Sequence, residues 1–156
     1  MKIIKLFAVM LLAGLSAACE KTPQTETFPE EAGYVGRLSV IEIGDELFEM
    51  DDIRMDYTRD VETGRLDIYM YDVSFSSQMP VRLSVVVLPD VAHTLTGSVI
   101  SISDTDVVPL MEMRGELVPY ERYLCTDFTG RITPSTMSLS MSLGGFQTHY
   151  TGTSAD

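Results

Sequence analysis

The sequence has few basic residues, no tryptophan and a single long apolar run. Its 11 Lys and Arg residues are outnumbered by 23 Asp and Glu residues, which gives a formal net charge of −12 at pH 7. Such a chain repels phosphate backbones, so nucleic acid is a poor partner, whereas a neutral or cationic ligand is compatible with it. The lack of tryptophan disfavours a sugar-stacking patch built from Tyr34, Tyr57, Tyr69, Tyr71, Tyr123 and Tyr150.

The apolar run is too short to cross a membrane as a helix. Lys2 and Lys5 precede ten uncharged residues at 6–15, and small residues lead from there to Cys19. A transmembrane helix needs about 20 apolar residues. A basic start, a short apolar stretch and a small-residue cleavage site are instead the three parts of a secretory signal. The sequence therefore predicts an exported protein with a lipoprotein-type signal peptide at residues 1–18.

Two interpretations of the cleavage site are compatible with these residues. In the first, the segment is a lipobox, and the acylated Cys19 becomes the N-terminus. In the second, Ser16 and Ala18 satisfy the small-x-small rule of an ordinary signal peptidase, and Cys19 stays a thiol. Leu15 lies one position further from Cys19 than in most lipoboxes, but a cysteine directly after the small residues favours lipidation. Because Glu20 is not an Asp, nothing indicates retention at the inner membrane. We expect an outer-membrane lipoprotein that faces the periplasm or the cell surface.

The second cysteine, Cys125, lies within the domain proper. Export permits disulfides, so a bridge between Cys19 and Cys125 is an alternative if Cys19 is not acylated. The neighbours Tyr123, Leu124 and Phe128 predict a buried thiol that behaves as a small apolar side chain.

Residues 19–32 are predicted to be a flexible tether that starts at Cys19. The segment contains Thr, Gln, Glu and two prolines, and Phe28 is its only large apolar residue. Such a composition buries too little apolar surface to order itself. The chain therefore divides into a signal at 1–18, a tether at 19–32 and a domain at 33–153.

From residue 33 onward the apolar residues alternate with a period of two, which predicts strands. No window shows an amphipathic helix of three turns. The apolar phase slips between Met70 and Val73, which indicates a β-bulge or a strand that is covered on both faces. Turn residues, including the hairpin signal Gly144-Gly145, separate nine predicted strands, at 34–43, 53–58, 66–75, 81–87, 94–103, 107–118, 123–132, 137–143 and 146–150.

An all-β chain with short turns is expected to close on itself. A long open sheet leaves two unpaired edge strands, which soluble proteins avoid, and closure removes them. A two-sheet sandwich is the alternative, but it usually needs longer crossovers than this chain offers. We predict an all-β fold: a closed up-and-down antiparallel β-barrel of eight to nine strands.

Several short motifs occur in an order that resembles a known family. They are YVGRLSV at 34–40, MPV at 79–81 after Phe75, GRI at 130–132, MSLSM at 137–141 and HYTG at 149–152. Over about residues 33–153 the chain is similar to the calycin-like β-barrel domain of lipoproteins from Bacteroides-type bacteria. The resemblance implies a lipocalin- or avidin-like barrel on a lipid anchor, without catalytic residues. Arg82 departs from the family, whose members often carry Gly there. Because Tyr-x-Gly occurs at both ends of the domain, we also predict that the first and last strands are neighbours.

Sequence signals of catalysis or metal binding are missing. His93 and His149 are far apart and have no Cys or Glu at ligand spacing, so we predict one loop histidine and one surface-strand histidine. There is no Gly-x-Ser-x-Gly elbow and no Gly-rich phosphate loop. We predict no enzymatic activity, no metal and no cofactor. A solvated hairpin is predicted for an acidic cluster that lacks EF-hand spacing, namely Asp45, Glu46, Glu49, Asp51 and Asp52.

The predicted barrel interior is the candidate ligand site. Methionine side chains adapt to varied apolar ligands, and several lie on apolar strand faces. A barrel of about eight strands is barely wider than its own side chains, so a filled core is the alternative. The candidate residues are Met55, Met70, Leu83, Met111, Met113, Met137, Leu139 and Met141.

These features favour a non-enzymatic lipoprotein of the cell envelope, held at the membrane by its N-terminal lipid. Its barrel is expected to bind a small apolar or amphipathic molecule, or an envelope protein. The alternative is a structural or protein-interaction module of the outer membrane, with a filled core and its function on the loops. A void lined by Met, Leu and Val would favour the first hypothesis, and a solid interior the second.

Overall fold

The structure is a computed structural model that describes residues 28–156. The predicted signal peptide, the predicted acylation site at Cys19 and the tether up to residue 27 lie outside the described residues. None of the helical structure in the described part has the length and apolar character needed to cross a membrane.

Eleven β-strands and one short 3-10 helix make up the described chain, so the prediction of an all-β fold is confirmed. The helix, Glu121–Tyr123, precedes the ninth strand. The strands are β1 (Glu31–Ile41), β2 (Leu47–Asp60), β3 (Arg65–Val73), β4 (Leu83–Leu88), β5 (His93–Thr96), β6 (Val99–Asp104), β7 (Leu110–Met113), β8 (Glu116–Pro119), β9 (Cys125–Ile132), β10 (Thr136–Leu143) and β11 (Phe146–Ser154).

The strands form one antiparallel sheet in the order β5-β6-β9-β10-β11-β1-β2-β3-β4-β7-β8. The predicted pairing of the first and last strands is confirmed, and Gly36 of β1 lies directly opposite Gly152 of β11. A Cβ atom at Gly36 would overlap the backbone of Thr151 and Gly152, so the two strands need glycine at this crossing. The sheet curls around a single apolar core that draws residues from strands along most of its width.

The predicted closed barrel of eight to nine strands is wrong, because the sheet is an open half-barrel of eleven strands with β5 and β8 at its edges. Two predicted strands, 94–103 and 107–118, each reverse direction midway. The first turns at Gly97, with φ of +60°, and becomes the β5–β6 hairpin. The second turns at Arg114-Gly115, with φ of +54° and +83°, and becomes the β7–β8 hairpin. Two-residue hairpin turns need positive φ at the first central residue, as at Gly97, or at both, as at Arg114-Gly115.

An isolated bridge ties the two sides of the curled sheet together. Val107, which precedes β7, and Cys125, the first residue of β9, exchange both backbone hydrogen bonds, with N···O distances of 3.0 and 2.9 Å. The bridge consists of one residue pair. It does not pair the two edge strands, β5 and β8, with each other.

Aspartate supplies most of the left-handed backbone outside glycine. Seven non-glycine residues have positive φ in the described chain, and Arg114 is the one that is not an aspartate. Asp tolerates this conformation because its short polar side chain hydrogen-bonds locally. The six aspartates, with φ between +50° and +61°, are Asp45, Asp52, Asp72, Asp90, Asp106 and Asp127.

Three of these aspartates mark irregularities within the strands. Asp52 accompanies a register shift between β1 and β2, and Asp127 accompanies one between β9 and β10. Between Met70 and Val73 the burial pattern slips at Asp72, which is exposed and left-handed, but the register of β3 with β4 is continuous there. The β-bulge that was one of the two predicted explanations is therefore not seen in the β3–β4 pairing.

The folded domain begins earlier than the predicted boundary at residue 33. Phe28 is 5% exposed and packs on the ring of Tyr57, with a centroid separation of 5.8 Å. The carbonyl groups of Phe28 and Pro29 accept hydrogen bonds from Arg59 (3.0 Å) and from the Tyr57 hydroxyl (2.9 Å). Residues 28–32 are therefore part of the domain, and assigning them to the tether was wrong.

Candidate functional site

Most of the predicted interior residues lie together in the core. Leu83 lies partly buried against the same cluster. The six that are at most 2% exposed are Met55, Met70, Met111, Met137, Leu139 and Met141.

Placing Met113 in the interior was wrong, because its side chain is 43% exposed. It is the last residue of β7, directly before the turn at Arg114-Gly115, where the chain leaves the core. Met111 and Met113 do occupy alternate positions along β7. The strand ends at Met113, however, so only Met111 lies in the core.

One cleft lies on the outer face of the sheet, where β1, β2 and β3 run side by side. Its volume is about 450 Å³, within the range of roughly 300–1,000 Å³ that is usual for small-molecule sites. We call it the Tyr69–Tyr71 cleft. Its lining residues are Glu31, Ala32, Gly33, Arg54, Asp56, Tyr57, Thr58, Tyr69, Tyr71, Ala155 and Asp156.

Strand register brings the polar side chains of the cleft together. Gly33 of β1 lies opposite Asp56 of β2, and Asp56 lies opposite Tyr69 of β3. Because side chains alternate between the two faces of a strand, Arg54 and Tyr71 share the outer face with this row. The alternation that buries Met55 and Tyr57 therefore also builds the outer cleft.

A bidentate ion pair forms the polar centre of the cleft. Arg54 donates from Nε to Asp56 Oδ1 (2.9 Å) and from Nη2 to Oδ2 (3.2 Å). This parallel arrangement fixes both side chains, and the hydrogen bond and charge of Asp56 raise the pKa of Arg54. A Cβ atom at Gly33 would lie 2.7 Å from Asp56 Oδ1 and 3.0 Å from Arg54 Nη2. The missing side chain at Gly33 thus makes room for the pair.

Two tyrosines line the β3 side of the cleft. The rings of Tyr69 and Tyr71 are nearly parallel, with an interplanar angle of 12° and centroids 6.5 Å apart. Both side chains are half-buried. Burial, and after it the charge of Asp56, raises the pKa of Tyr71. Its hydroxyl therefore stays protonated at neutral pH and is a hydrogen-bond donor.

Of the other tyrosines of the predicted patch, Tyr57 contributes to the cleft lining and the rest do not. Tyr123 stacks on Tyr120, with a centroid distance of 5.6 Å, in a different part of the domain. Tyr34, Tyr57 and Tyr150 are buried, and their hydroxyls donate to backbone carbonyls. The structure thus brings Tyr69 and Tyr71 together beside Tyr57 and leaves the other three tyrosines of the patch outside the cleft. Sequence reasoning missed Arg54 and Asp56, although their spacing of two residues on one strand face was visible.

Two further clefts flank the loop between β3 and β4. They measure about 260 and 460 Å³ and share Ser76, Gln78 and Phe146. The Glu42 carboxylate accepts hydrogen bonds from the Ser76 hydroxyl (2.7 Å) and from the Ser77 backbone amide (2.6 Å) and hydroxyl (2.7 Å). These bonds lower the pKa of Glu42 and fasten the loop to the chain that follows β1.

The remaining polar candidates lie apart from one another. His93, which precedes the predicted strand at 94–103 and was expected in a loop, is the first residue of β5, whereas the surface-strand position of His149 and the exposed acidic hairpin are confirmed. His93 places Nδ1 2.8 Å from the Val91 carbonyl oxygen at the start of β5, and His149 is exposed on β11. The acidic cluster lies on the exposed β1–β2 hairpin. No group of three potential metal ligands occurs among residues 28–156.

Cys125 is completely buried, as predicted. Burial raises the pKa of its thiol to about 12. The thiol therefore stays protonated at neutral pH and lacks the thiolate that makes a cysteine nucleophilic.

The Tyr69–Tyr71 cleft has groups with which a protein can bind a small molecule. It offers aromatic rings, a fixed pair of hydrogen-bonding groups and the Thr58 hydroxyl within one concave surface. Comparison of the chain with family models, curated proteins and solved structures found no match. The resemblance to calycin-like lipoprotein domains stays a prediction, and function has to be argued from this site.

Proposed function

We propose that this protein is a lipid-anchored protein of the cell envelope whose domain is a non-enzymatic binding module. Its binding site is the Tyr69–Tyr71 cleft, and its ligand is a small molecule with both polar and apolar surface. The observation that carries the proposal is the fixed Arg54–Asp56 pair beside two parallel tyrosines in a cleft of about 450 Å³. The amphipathic ligand class predicted from the sequence is kept, but the site moves from the interior to the outer face.

Burial of the predicted interior residues supports this move. Except for Met113, the methionines that were expected to line a ligand cavity belong, with aromatic residues, to one continuous buried cluster. A ligand would have to displace these side chains, and large rearrangements of a packed core are costly. The outer cleft needs no such displacement.

The position of Phe28 supports a domain held close to the membrane. If Cys19 carries the lipid, residues 20–27 alone separate the anchor from the folded domain. Even a fully extended chain of this length reaches no more than about 30 Å. The domain would then work at the membrane surface.

Lipid anchoring is tested by mass spectrometry of the mature N-terminus from the native host. We expect acyl chains on Cys19 and recovery with outer-membrane fractions, and we expect Cys19→Ser to release the protein from the membrane. An unmodified Cys19 on the native protein would refute this half of the proposal. Protease treatment of intact cells then distinguishes surface from periplasmic orientation.

Binding at the cleft is tested with the purified full-length protein and its Tyr69→Ala and Tyr71→Ala variants. We expect a saturable small-molecule ligand whose affinity falls in both variants. Tyr120→Ala is the matched control, because it removes a half-buried, stacked tyrosine outside the cleft. Equal loss of affinity in the control would show that the effect is not local to the cleft.

The alternative, a protein-interaction module, is favoured by one observation. Met113 and Leu117 of the β7–β8 hairpin are 43% and 47% exposed, beside the edge strand β8. A partner strand added to β8 would protect its backbone amides from hydrogen exchange. Slower exchange of β8 amides in isolated outer membranes than in the purified protein would favour this function, and equal rates would exclude strand addition there.

A further inference from the structure

We infer that the Tyr69–Tyr71 cleft binds a neutral saccharide, with the sugar ring against a tyrosine and its hydroxyl groups on the Arg54–Asp56 pair. This inference rests on the proposed function and names the ligand class of that site. Three properties of the cleft carry it: its charge balance, its aromatic wall and its preformed polar centre.

The charge balance of the cleft disfavours an anionic ligand. The Arg54 and Asp56 charges are paired with each other through two hydrogen bonds. Glu31 and Asp156 are the other charged side chains in the lining, and both are acidic. An anion would be repelled by these carboxylates, whereas a neutral ligand is not. The choice between a neutral ligand and a cation rests on the hydrogen-bonding groups of the Arg54–Asp56 pair.

The Arg54–Asp56 pair presents donors and acceptors side by side. A guanidinium has five N–H donors, and a carboxylate has about four acceptor positions, so a bidentate pair leaves some of each unused. A hydroxyl group both donates and accepts. Two hydroxyls on adjacent ring carbons therefore match the two halves of the pair, whereas a hydrocarbon chain would leave them without partners.

The tyrosines supply the apolar half of the site. A pyranose ring has a face of C–H groups and an edge of hydroxyl groups. Tyr69 and Tyr71 likewise combine an apolar ring with a hydroxyl that needs a partner. Their nearly parallel rings, 6.5 Å apart on one strand face, give a sugar ring a surface that is already ordered. Tryptophan is the commoner stacking residue, but the parallel pair offers two rings in its place.

The polar centre is preformed, and Gly33 is its positioning residue. A side chain at this place would push against Asp56 Oδ1 and Arg54 Nη2. Gly33→Ala keeps every binding group and displaces the pair, because a Cβ atom 2.7 Å from Asp56 Oδ1 is closer than such contacts allow. A preformed site loses less conformational freedom on binding, so this displacement is expected to weaken binding without removing a contact group.

The test measures binding by isothermal titration calorimetry to the purified full-length protein. The probes are neutral oligosaccharides of glucose, mannose, galactose and N-acetylglucosamine, with oligogalacturonate, choline and 1-octanol as anionic, cationic and apolar counterparts. We expect saturable binding of at least one neutral oligosaccharide and none of the counterparts. Tyr71→Ala and Asp56→Asn are expected to weaken binding by about tenfold or more, equivalent to one lost polar or stacking contact. Gly33→Ala is expected to have a smaller effect, and Tyr120→Ala none.

Each result has one meaning, provided that circular dichroism shows the variants folded. Binding of a counterpart at the cleft, with no neutral saccharide bound, overturns the saccharide inference and leaves the proposed function intact. A lack of binding by every probe overturns both. Saccharide binding that survives Tyr71→Ala and Asp56→Asn overturns the assignment of the site.

Discussion

Replacing Tyr150 by Phe removes one oxygen atom from the centre of the domain. The Tyr150 ring is completely buried, and its hydroxyl donates to the Ile53 carbonyl oxygen at 3.0 Å. This bond joins β11 to β2, two strands that β1 separates in the sheet. The side chain also lies where a Cβ atom of Gly152 would be, so the glycine makes room for the tyrosine.

The expected loss of stability follows from the burial of this hydrogen bond. Tyr150→Phe takes away the hydrogen bond without changing the packing of the ring. A buried polar group that loses its partner costs about 1–3 kcal/mol. The same substitution at Tyr34 or Tyr57 removes bonds of 2.7 and 2.9 Å to carbonyls that are only partly buried. Water reaches those carbonyls, so we expect about 0.5–1.5 kcal/mol there.

The assay is equilibrium unfolding in urea, followed by far-ultraviolet circular dichroism. The three variants are matched, because each loses one hydroxyl from a buried tyrosine. We expect Tyr150→Phe to lower the midpoint most, with an unchanged dependence on urea. A loss at Tyr150 equal to or smaller than the losses at Tyr34 and Tyr57 would refute the argument that burial of the bond decides its value.

Three further predictions concern the core, the crossing of the first and last strands, and pH. Met70→Ala is expected to lower the free energy of unfolding by about 2–5 kcal/mol, and Met113→Ala by less than about 0.5 kcal/mol because Met113 is exposed; similar losses in urea melts would contradict the placement of Met113 outside the core. Gly36→Ala is expected to cost at least about 1–3 kcal/mol, since its Cβ meets backbone that cannot rotate away, and a stability within error of the parent protein would show that the two strands separate freely. Burial raises the pKa of Tyr34 to about 12 and raises those of Tyr57 and Tyr150. Unfolded tyrosine ionises near pH 10 and the native side chains do not, so stability is expected to fall as the pH rises above about 10, and less steeply in Tyr150→Phe; urea midpoints that do not change between pH 9 and 11 would contradict the direction.

Period-two alternation was enough to predict most of the strands, the hairpin at Gly144-Gly145 and the slip of the apolar phase near Asp72. It failed at Gly97 and at Arg114-Gly115, where two-residue turns interrupt what looks like continuous strand. The strands on either side of the second turn have four residues each, too few for alternation to show a change of direction. A glycine within a strand pattern is also compatible with a bulge. Because these two turns were missed, a closed barrel was predicted where the structure has an open sheet.

The Tyr69–Tyr71 cleft was harder to predict, for a different reason. Arg54, Asp56, Tyr69 and Tyr71 occupy outward-facing strand positions, where polar and aromatic residues are common and need no function. Their meeting depends on the register of three strands and on the missing side chain of Gly33. Likewise, the Pro- and Glu-containing segment at 28–32 has the composition of a linker, and it is ordered by Tyr57 and Arg59, which lie far along the chain.

The left-handed aspartates change how the acidity of this protein is explained. Six of its 23 acidic residues stand where the backbone has positive φ, a region that most side chains adopt only at a cost. Part of the negative charge is therefore explained by the backbone conformation, which favours aspartate at these six positions. This part needs no explanation from solubility or from binding partners. Neutralising the protein by mutation would be tolerated at exposed glutamates on regular strands. At Asp52, Asp72 and Asp127 it would be tolerated only by Asn or Gly, the other residues that accept the same turn of the backbone.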